Sequence, residues 1–328
     1  MSARVSWRIL EGDALERLRE LPDESVQTCI TSPPYWGLRD YGVEGQLGLE
    51  PTPEEYVANL VAVFREVRRV LRDDGTLWLN LGDSYAQGGS GGASAKSTLK
   101  NDGRPVYGAR RYEQELNKQS FSRRAPAGYK PKDLVGIPWL VAFALRADGW
   151  YLRSDIVWAK VNPMPESVTD RPTRAHEYIF LFSKSPRYFY DADAIREPDG
   201  GKPSGNGFVR DYRLTYQNAD GTGRGRDEQW EPGGGRNKRS VWTVATQPFP
   251  AAHFATFPPA LIEPCVLAGS AEGDTVLDPF AGSGTTGVVA LRHNRDFVGI
   301  EINPEYAEMA RERIRNDAPL LNIGAEAA

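Results

Sequence analysis

Near the end of the chain, one stretch dictates architecture. Thr275–Leu277 reads as a short strand, Asp278–Thr286 as a glycine-rich loop, and Gly287–His293 as the start of a helix. Phe297–Ile300 is the next strand, ending at Glu301, and Pro304–Arg315 is a helix. A strand that turns through glycines into a helix and then into another strand implies a parallel crossover, with helices covering the sheet. Similar units precede it. Val5–Leu10 is strand-like and ends at Gly12-Asp13, with Leu15, Leu18 and Leu21 following at helical spacing. Val26–Thr31 is a second strand, running into Ser32-Pro33-Pro34-Tyr35, where two prolines force an extended turn. Thr52-Pro53-Glu54-Glu55 is a capped helix start, and Val57, Leu60, Val61, Phe64, Val67 and Leu71 continue it, with Gly75 expected as the stop. Thr76–Leu81 is a third strand, and regular patterns resume at Leu134–Ala147, Tyr151–Trp158 and Tyr178–Ser183. The expected fold is α/β, a doubly wound, mostly parallel sheet.

Two glycine-rich, loop-like stretches interrupt this pattern, and the charge is concentrated there. The 328 residues carry a net charge of −4, yet residues 84–133 hold 10 Lys and Arg against 4 Asp and Glu. Residues 196–240 hold 9 against 7. An acidic body with two basic insertions points to a polyanion partner, against the alternative of merely solvated loops. The expected organisation is one α/β domain in three pieces, 1–83, 134–195 and 241–328, separated by the basic insertions 84–133 and 196–240. Two cysteines and three scattered histidines leave no framework for disulfides or a dedicated metal centre. No apolar run approaches the roughly 20 residues of a membrane helix, so a cytoplasmic protein is expected.

The loop Asp278–Thr286 lets backbone come close to a ligand at a helix N-terminus. Glu301, about twenty residues on and at the end of the next strand, is placed to accept hydrogen bonds from a ribose diol. Phosphate binding fits poorly. G-x-x-x-x-G-K-[ST] is absent, and an aspartate at the strand end would repel a pyrophosphate. That acid suits a ligand with a positive amino group and a sulfonium, such as S-adenosyl-L-methionine.

Ser32-Pro33-Pro34-Tyr35 at a strand end, with Asp278–Thr285 (DPFAGSGT) far downstream, resembles the amino-group DNA methyltransferases of the circularly permuted type. Their catalytic motif is [DNS]-P-P-[YFW] and their cofactor motif D-P-F-x-G-S-G-T. The resemblance spans nearly the whole chain, taking in Gly12-Asp13, Trp158-Ala159-Lys160 and His253–Pro258. It implies a Rossmann-like fold, S-adenosyl-L-methionine as cofactor and duplex DNA as substrate, with the catalytic domain continued over 1–83 and 134–195, its cofactor-binding half at 241–328 and a target-recognition insertion at 196–240. A restriction endonuclease partner and a homodimer are further expectations. It also implies that Asp13 contacts the cofactor's adenine amino group and that Phe254, Phe257 and Pro258 line its methionine end. Asp278, Phe280, Gly282, Ser283, Gly284, Thr285 and Glu301 would complete that site. Trp158, Lys160 and Asn162 line the base pocket, touch phosphates, or belong to core and surface.

The residue types fit amino methylation. An exocyclic amine is a weak nucleophile because its lone pair is delocalised into the ring. Acceptors at the Ser32 side chain and Pro33 carbonyl favour a pyramidal nitrogen, the second proline fixes the carbonyl's direction, and Tyr35 offers a face for an extruded base. Arg39, in a loop over the site, and Arg110, Arg111, Arg123, Arg124 and Lys160 are the expected DNA contacts. Ser at the first motif position favours N4 of cytosine, with N6 of adenine as the alternative. An RNA or protein substrate, or a catalytically silent DNA-binding protein, fits less well. Carbon-5 methylation would need a nucleophile such as Cys265, but that residue and Cys29 read as packed core thiols.

Overall fold

The computed structural model describes residues 5–38, 42–86, 128–198, 235–247 and 257–317. In chain order the elements are β1 (Trp7–Glu11), α1 (Ala14–Glu20), β2 (Val26–Thr31), α2 (Pro53–Val70), β3 (Leu71–Leu81), α3 (Ile137–Ala147) and β4 (Tyr151–Lys160). They continue as β5 (His176–Ser183), β6 (Val241–Val244), α4 (Pro259–Gly269), β7 (Thr275–Asp278), α5 (Thr285–Arg292), β8 (Asp296–Glu301) and α6 (Pro304–Asp317). The strands form one sheet in the order β1-β8-β7-β2-β3-β5-β4-β6. Among the described residues, β5 alone of these strands runs antiparallel to its neighbours, β3 and β4; the other pairs are parallel.

All six residues of β2 are buried, as expected of a central strand covered on both faces. From β7 the chain passes through α5 to β8 on one side, and from β2 through α2 to β3 on the other. The connections therefore diverge between β2 and β7. Open α/β sheets bind ligands at such a switch point, outside the carboxyl ends of the strands.

Helix α2 shows how the sequence builds the covering layer. Thr52 accepts from the Glu55 backbone N–H, Pro53 opens the helix, and Arg68 and Arg69 occupy its last turn. Tyr56, Leu60, Val63, Phe64, Val67 and Val70 are buried at helical spacing. Each such side chain contributes roughly 1.5–3 kcal/mol on burial. The expected stop at Gly75 is corrected. The helix ends at Val70, and β3 begins at Leu71 with no loop between. Arg69 holds this end by donating to Leu18 O at 2.8 Å and Leu21 O at 2.9 Å. Gly75 lies inside β3, where pairing jumps from Val26–Leu71 to Thr28–Thr76. A Cβ there would stand 2.9 Å from Arg72 O, so the glycine serves a bulge rather than a cap.

Residues Met1–Asp191 and Ser240–Ala328 make one compact unit, which carries the sheet, and Ala192–Arg239 a second. In the described part of the second unit, Glu197 pairs with Arg236 at 3.1 Å and Arg239 at 2.9 Å. Among the described residues, no helix is long and apolar enough to cross a membrane.

Candidate active site

A cavity of about 810 Å³ opens at the carboxyl ends of the central strands. Each strand delivers its next residues into it. Gly12 and Asp13 follow β1, Glu301 ends β8, Phe280–Ser283 follow β7, and Ser32–Tyr35 follow β2. The end of β4 adds Trp158, Lys160 and Asn162. Because β5 is reversed, it contributes its beginning, Glu177.

In the half between β1, β8 and β7, Glu301 faces the cavity. Its carboxylate accepts from Gly282 N and Asn303 N, both at 2.9 Å, and burial pushes its pKa up. Gly12 N donates to Glu301 O at 2.9 Å, which sets Asp13 beside it. Asp13 also caps α1, accepting from Glu16 N at 3.0 Å. Phe257, Phe280 and Ile302 supply apolar wall. A buried acid beside apolar surface suits an adenosine with a ribose diol, so these residues fit S-adenosyl-L-methionine. Gly282, Gly284 and Gly287 meet the G-x-G-x-x-G spacing, so spacing alone does not separate this loop from a pyrophosphate site. The third glycine permits close helix–sheet packing, since a Cβ there would meet Ile314 and Phe297 at 2.6 and 2.7 Å. Arg313 fastens the loop from α6, donating to Ser283 Oγ at 2.9 Å and Thr285 Oγ1 at 2.8 Å. Gly284 caps α5 and Pro258 caps α4, and neither lines the cavity.

Asp278 departs from its expected role. It is 1% exposed and is absent from the cavity wall. Thr31 Oγ1 donates to one carboxyl oxygen at 2.6 Å and Phe280 N to the same oxygen at 3.1 Å. Thr286 Oγ1 donates to the other at 2.6 Å. The carboxyl therefore ties the last residue of β2 to the glycine loop and to α5, rather than presenting itself to a ligand. Burial raises its pKa to about 6 despite these three bonds.

In the other half, the SPPY backbone is held in place. Tyr56, fully buried on α2, donates to Pro34 O at 2.8 Å, and Leu38 N to Tyr35 O at 3.3 Å. Among the described residues, nothing donates to Pro33 O. Ser32 Oγ donates to Tyr35 Oη at 3.4 Å. The single phenolic hydrogen of Tyr35 has two acceptors, Glu177 Oε2 at 2.8 Å and Asn80 Oδ1 at 3.1 Å. Burial, and then the Glu177 charge, push this phenol well above its ordinary range. The Tyr35 ring lies against Gly82, where a Cβ would come within 2.5 Å of Cε2. Glu177 Oε1 pairs with Lys160, whose ammonium sits 4.7 Å from the Trp158 ring centroid. Lys160 is thus engaged inside the cavity. Trp158 donates to Val244 O at 2.9 Å, and Asn162 accepts from Thr246 N at 2.8 Å.

Glu177, Asn80, Tyr56 and Gly82 are the residues that sequence reasoning missed. Of the expected site residues, Arg39, Arg110, Arg111, Arg123, Arg124 and Phe254 lie outside the described residues. Cys29 and Cys265 are both fully buried, and Cys265 sits on α4 away from the cavity wall, as a packed thiol should.

Known proteins resemble this chain over most of its length. The chain is 51% identical over 307 residues to the type II methyltransferase M.XycI of Xanthomonas campestris pv. cyanopsidis, covering 94% of this chain and 87% of that protein. It is 47% identical to M.Cfr9I of Citrobacter freundii, another type II methyltransferase, over 97% and 91% of the two chains. A candidate DNA modification methylase from Thermus thermophilus, solved with S-adenosyl-L-methionine, superposes with a TM-score of 0.55 at 26% identity, over 95% and 96% of the chains. The PvuII DNA methyltransferase, described as cytosine-N4-specific, shares the fold with a TM-score of 0.60 at 18% identity, over 99% of both chains. The family model for DNA methylases of the N6/N4 type matches residues 26–312. With both motifs gathered at one cavity and relatives matched along nearly their full length, the chain belongs to the N6/N4 amino-group DNA methylases, which use S-adenosyl-L-methionine.

Proposed function

We propose that this protein methylates the exocyclic N4 of a cytosine in duplex DNA. The observation that supports the choice of base is Ser32, a neutral hydroxyl at the first motif position, which lines the cavity beside Pro33 and Tyr35. S-adenosyl-L-methionine supplies an electrophilic methyl group. The protein's part is to bring a nucleophilic amine to it. A paired base is out of reach, so the cytosine is flipped out at a cost of a few kcal/mol. The flipped ring stacks on Tyr35, with Trp158 and Met164 in the wall around it. Its amine hydrogens point to Ser32 Oγ and Pro33 O, which draws the lone pair out of the ring. Such positioning needs no covalent bond to the protein, and both cysteines are buried.

Mass spectrometry of nucleosides from DNA methylated by the purified protein tests this reading. N4-methylcytosine is the expected product. N6-methyladenine would refute the choice of base, and 5-methylcytosine would refute amino methylation itself. Following its type II relatives, we also assign the protein a cognate restriction endonuclease, against which DNA modified by this chain should resist cleavage.

A further inference from the structure

Methylation leaves the amine nitrogen with one hydrogen too many, and the serine beside it is a poor place to leave a proton. A protonated serine hydroxyl is a strong acid, unlike the carboxylic acid that an aspartate at this motif position would become. Either the proton escapes to water, or the site contains a base further along.

The hydrogen bonds of the cavity lead to such a base. Ser32 Oγ donates to Tyr35 Oη, and Tyr35 Oη reaches Glu177 Oε2 at 2.8 Å. Lys160 pairs with the other oxygen, Oε1, and so leaves Oε2 turned toward the phenol. Asn80 Nδ2 donates to Glu177 Oε2 at 3.3 Å and to Tyr178 O at 3.0 Å, which fixes the carboxylate in place. Gly82 leaves room for the ring that carries the hydroxyl. The family motif accepts Phe or Trp where this chain has Tyr35, so the hydroxyl link is a feature of this site and not a requirement of the motif.

We propose that Ser32, Tyr35 and Glu177 form a proton relay that carries the amine proton away during methyl transfer, with Glu177 as its final acceptor. As the N–CH3 bond forms, the methyl–sulfur bond breaks and its electron pair stays on sulfur. An N–H bond of the amine then breaks, leaving its electron pair on nitrogen, and the proton passes to Ser32 Oγ. The Ser32 hydroxyl proton moves to Tyr35 Oη, and the phenolic proton moves to Glu177 Oε2. Both hydroxyls end neutral, and Glu177 ends as a carboxylic acid that later returns its proton to water. Glu177 does not touch the base. It acts through Tyr35.

The relay rests on the amino-methylation reading, and the test separates the two. Single-turnover rates would be measured with labelled S-adenosyl-L-methionine and duplex DNA carrying the site found by sequencing the chromosome of an overexpressing strain. Tyr35→Phe keeps the ring against Gly82 and removes only the hydroxyl. Glu177→Gln keeps the shape and removes the base. Each variant should slow methyl transfer about 100-fold, the usual worth of a general base, with cofactor and DNA affinities within about twofold of wild type. The double variant should be no slower than the slower single one. The solvent deuterium isotope effect of the wild type should vanish in both. A rate within threefold of wild type in Tyr35→Phe overturns the relay, as do losses that multiply in the double variant. Because Tyr35→Phe stands alone as a test, a folding defect in Glu177→Gln would not rescue the idea. The base found in the wild-type product tests the cytosine assignment independently of these rates.

Discussion

Replacing Asp278 with asparagine measures what a buried carboxyl costs at the switch point of the sheet. Burial raises its pKa from 3.8 to about 6, against the pull of its hydrogen bonds from Thr286, Thr31 and Phe280. The folded state therefore holds this proton more tightly than the unfolded chain does. The resulting stabilisation is complete below the unfolded value and is lost as pH rises through about 6. At about 1.36 kcal/mol per pKa unit, the whole loss is about 3 kcal/mol. Integrating the same two values, about 1.4 kcal/mol of it falls between pH 5 and pH 8. Asparagine occupies the same volume and stays neutral throughout. Its oxygen can accept from Phe280 N and Thr31 Oγ1, and its amide can donate to Thr286 Oγ1 once that hydroxyl turns. The stability of Asp278→Asn relative to wild type should therefore rise by about 1.4 kcal/mol from pH 5 to pH 8. Urea unfolding of both proteins across that range reads the difference directly. A difference independent of pH, or one moving against the variant, would refute the picture of a desolvated carboxyl.

The cofactor half makes a contrasting prediction: Asp278→Asn should bind S-adenosyl-L-methionine within about threefold of wild type, whereas Glu301→Gln should lose about tenfold, the worth of one charge-assisted hydrogen bond. Calorimetry showing equal losses would put Asp278 back at the ligand. Tyr56→Phe releases Pro34 O and should lower both stability, by about 1 kcal/mol, and the methyl-transfer rate, with cofactor affinity unchanged. Denaturant unfolding alongside single-turnover rates checks it, and an unchanged rate would show that the SPPY turn holds itself. Neutralising Arg110, Arg111, Arg123 and Arg124 together should weaken DNA binding across all sequences. It should also make the slope of log affinity against log salt shallower by about 0.9 for each phosphate that is no longer neutralised. An unchanged slope would show that this insertion does not grip the DNA backbone.

The two motifs could be read from residues alone because local chemistry forces their composition. Prolines must sit where a carbonyl is aimed, and glycines where helix and loop meet. What each residue does depends on neighbours that sequence distance hides. Thr31 and Asp278 are 247 positions apart, and only the order of strands brings them to 2.6 Å. Without that contact, an acid at a strand end reads as a ligand for the cofactor. With it, the same acid is consumed by the fold. Asn80 carried a usable signal, a polar side chain inside the apolar run TLWLNL, since a buried amide must have partners. The four residues of β6 carried too little pattern to be seen beside a glycine-rich stretch. Glu177 illustrates a deeper limit. Period-2 alternation marks a strand but not its direction, and direction decides which end reaches the site. Were β5 parallel to β3, its far end at Ser183 would meet the cavity, and Glu177 would lie at the opposite edge of the sheet. Because β5 is reversed, pairing Leu81 with Tyr178, a glutamate at the start of a strand becomes a neighbour of Tyr35.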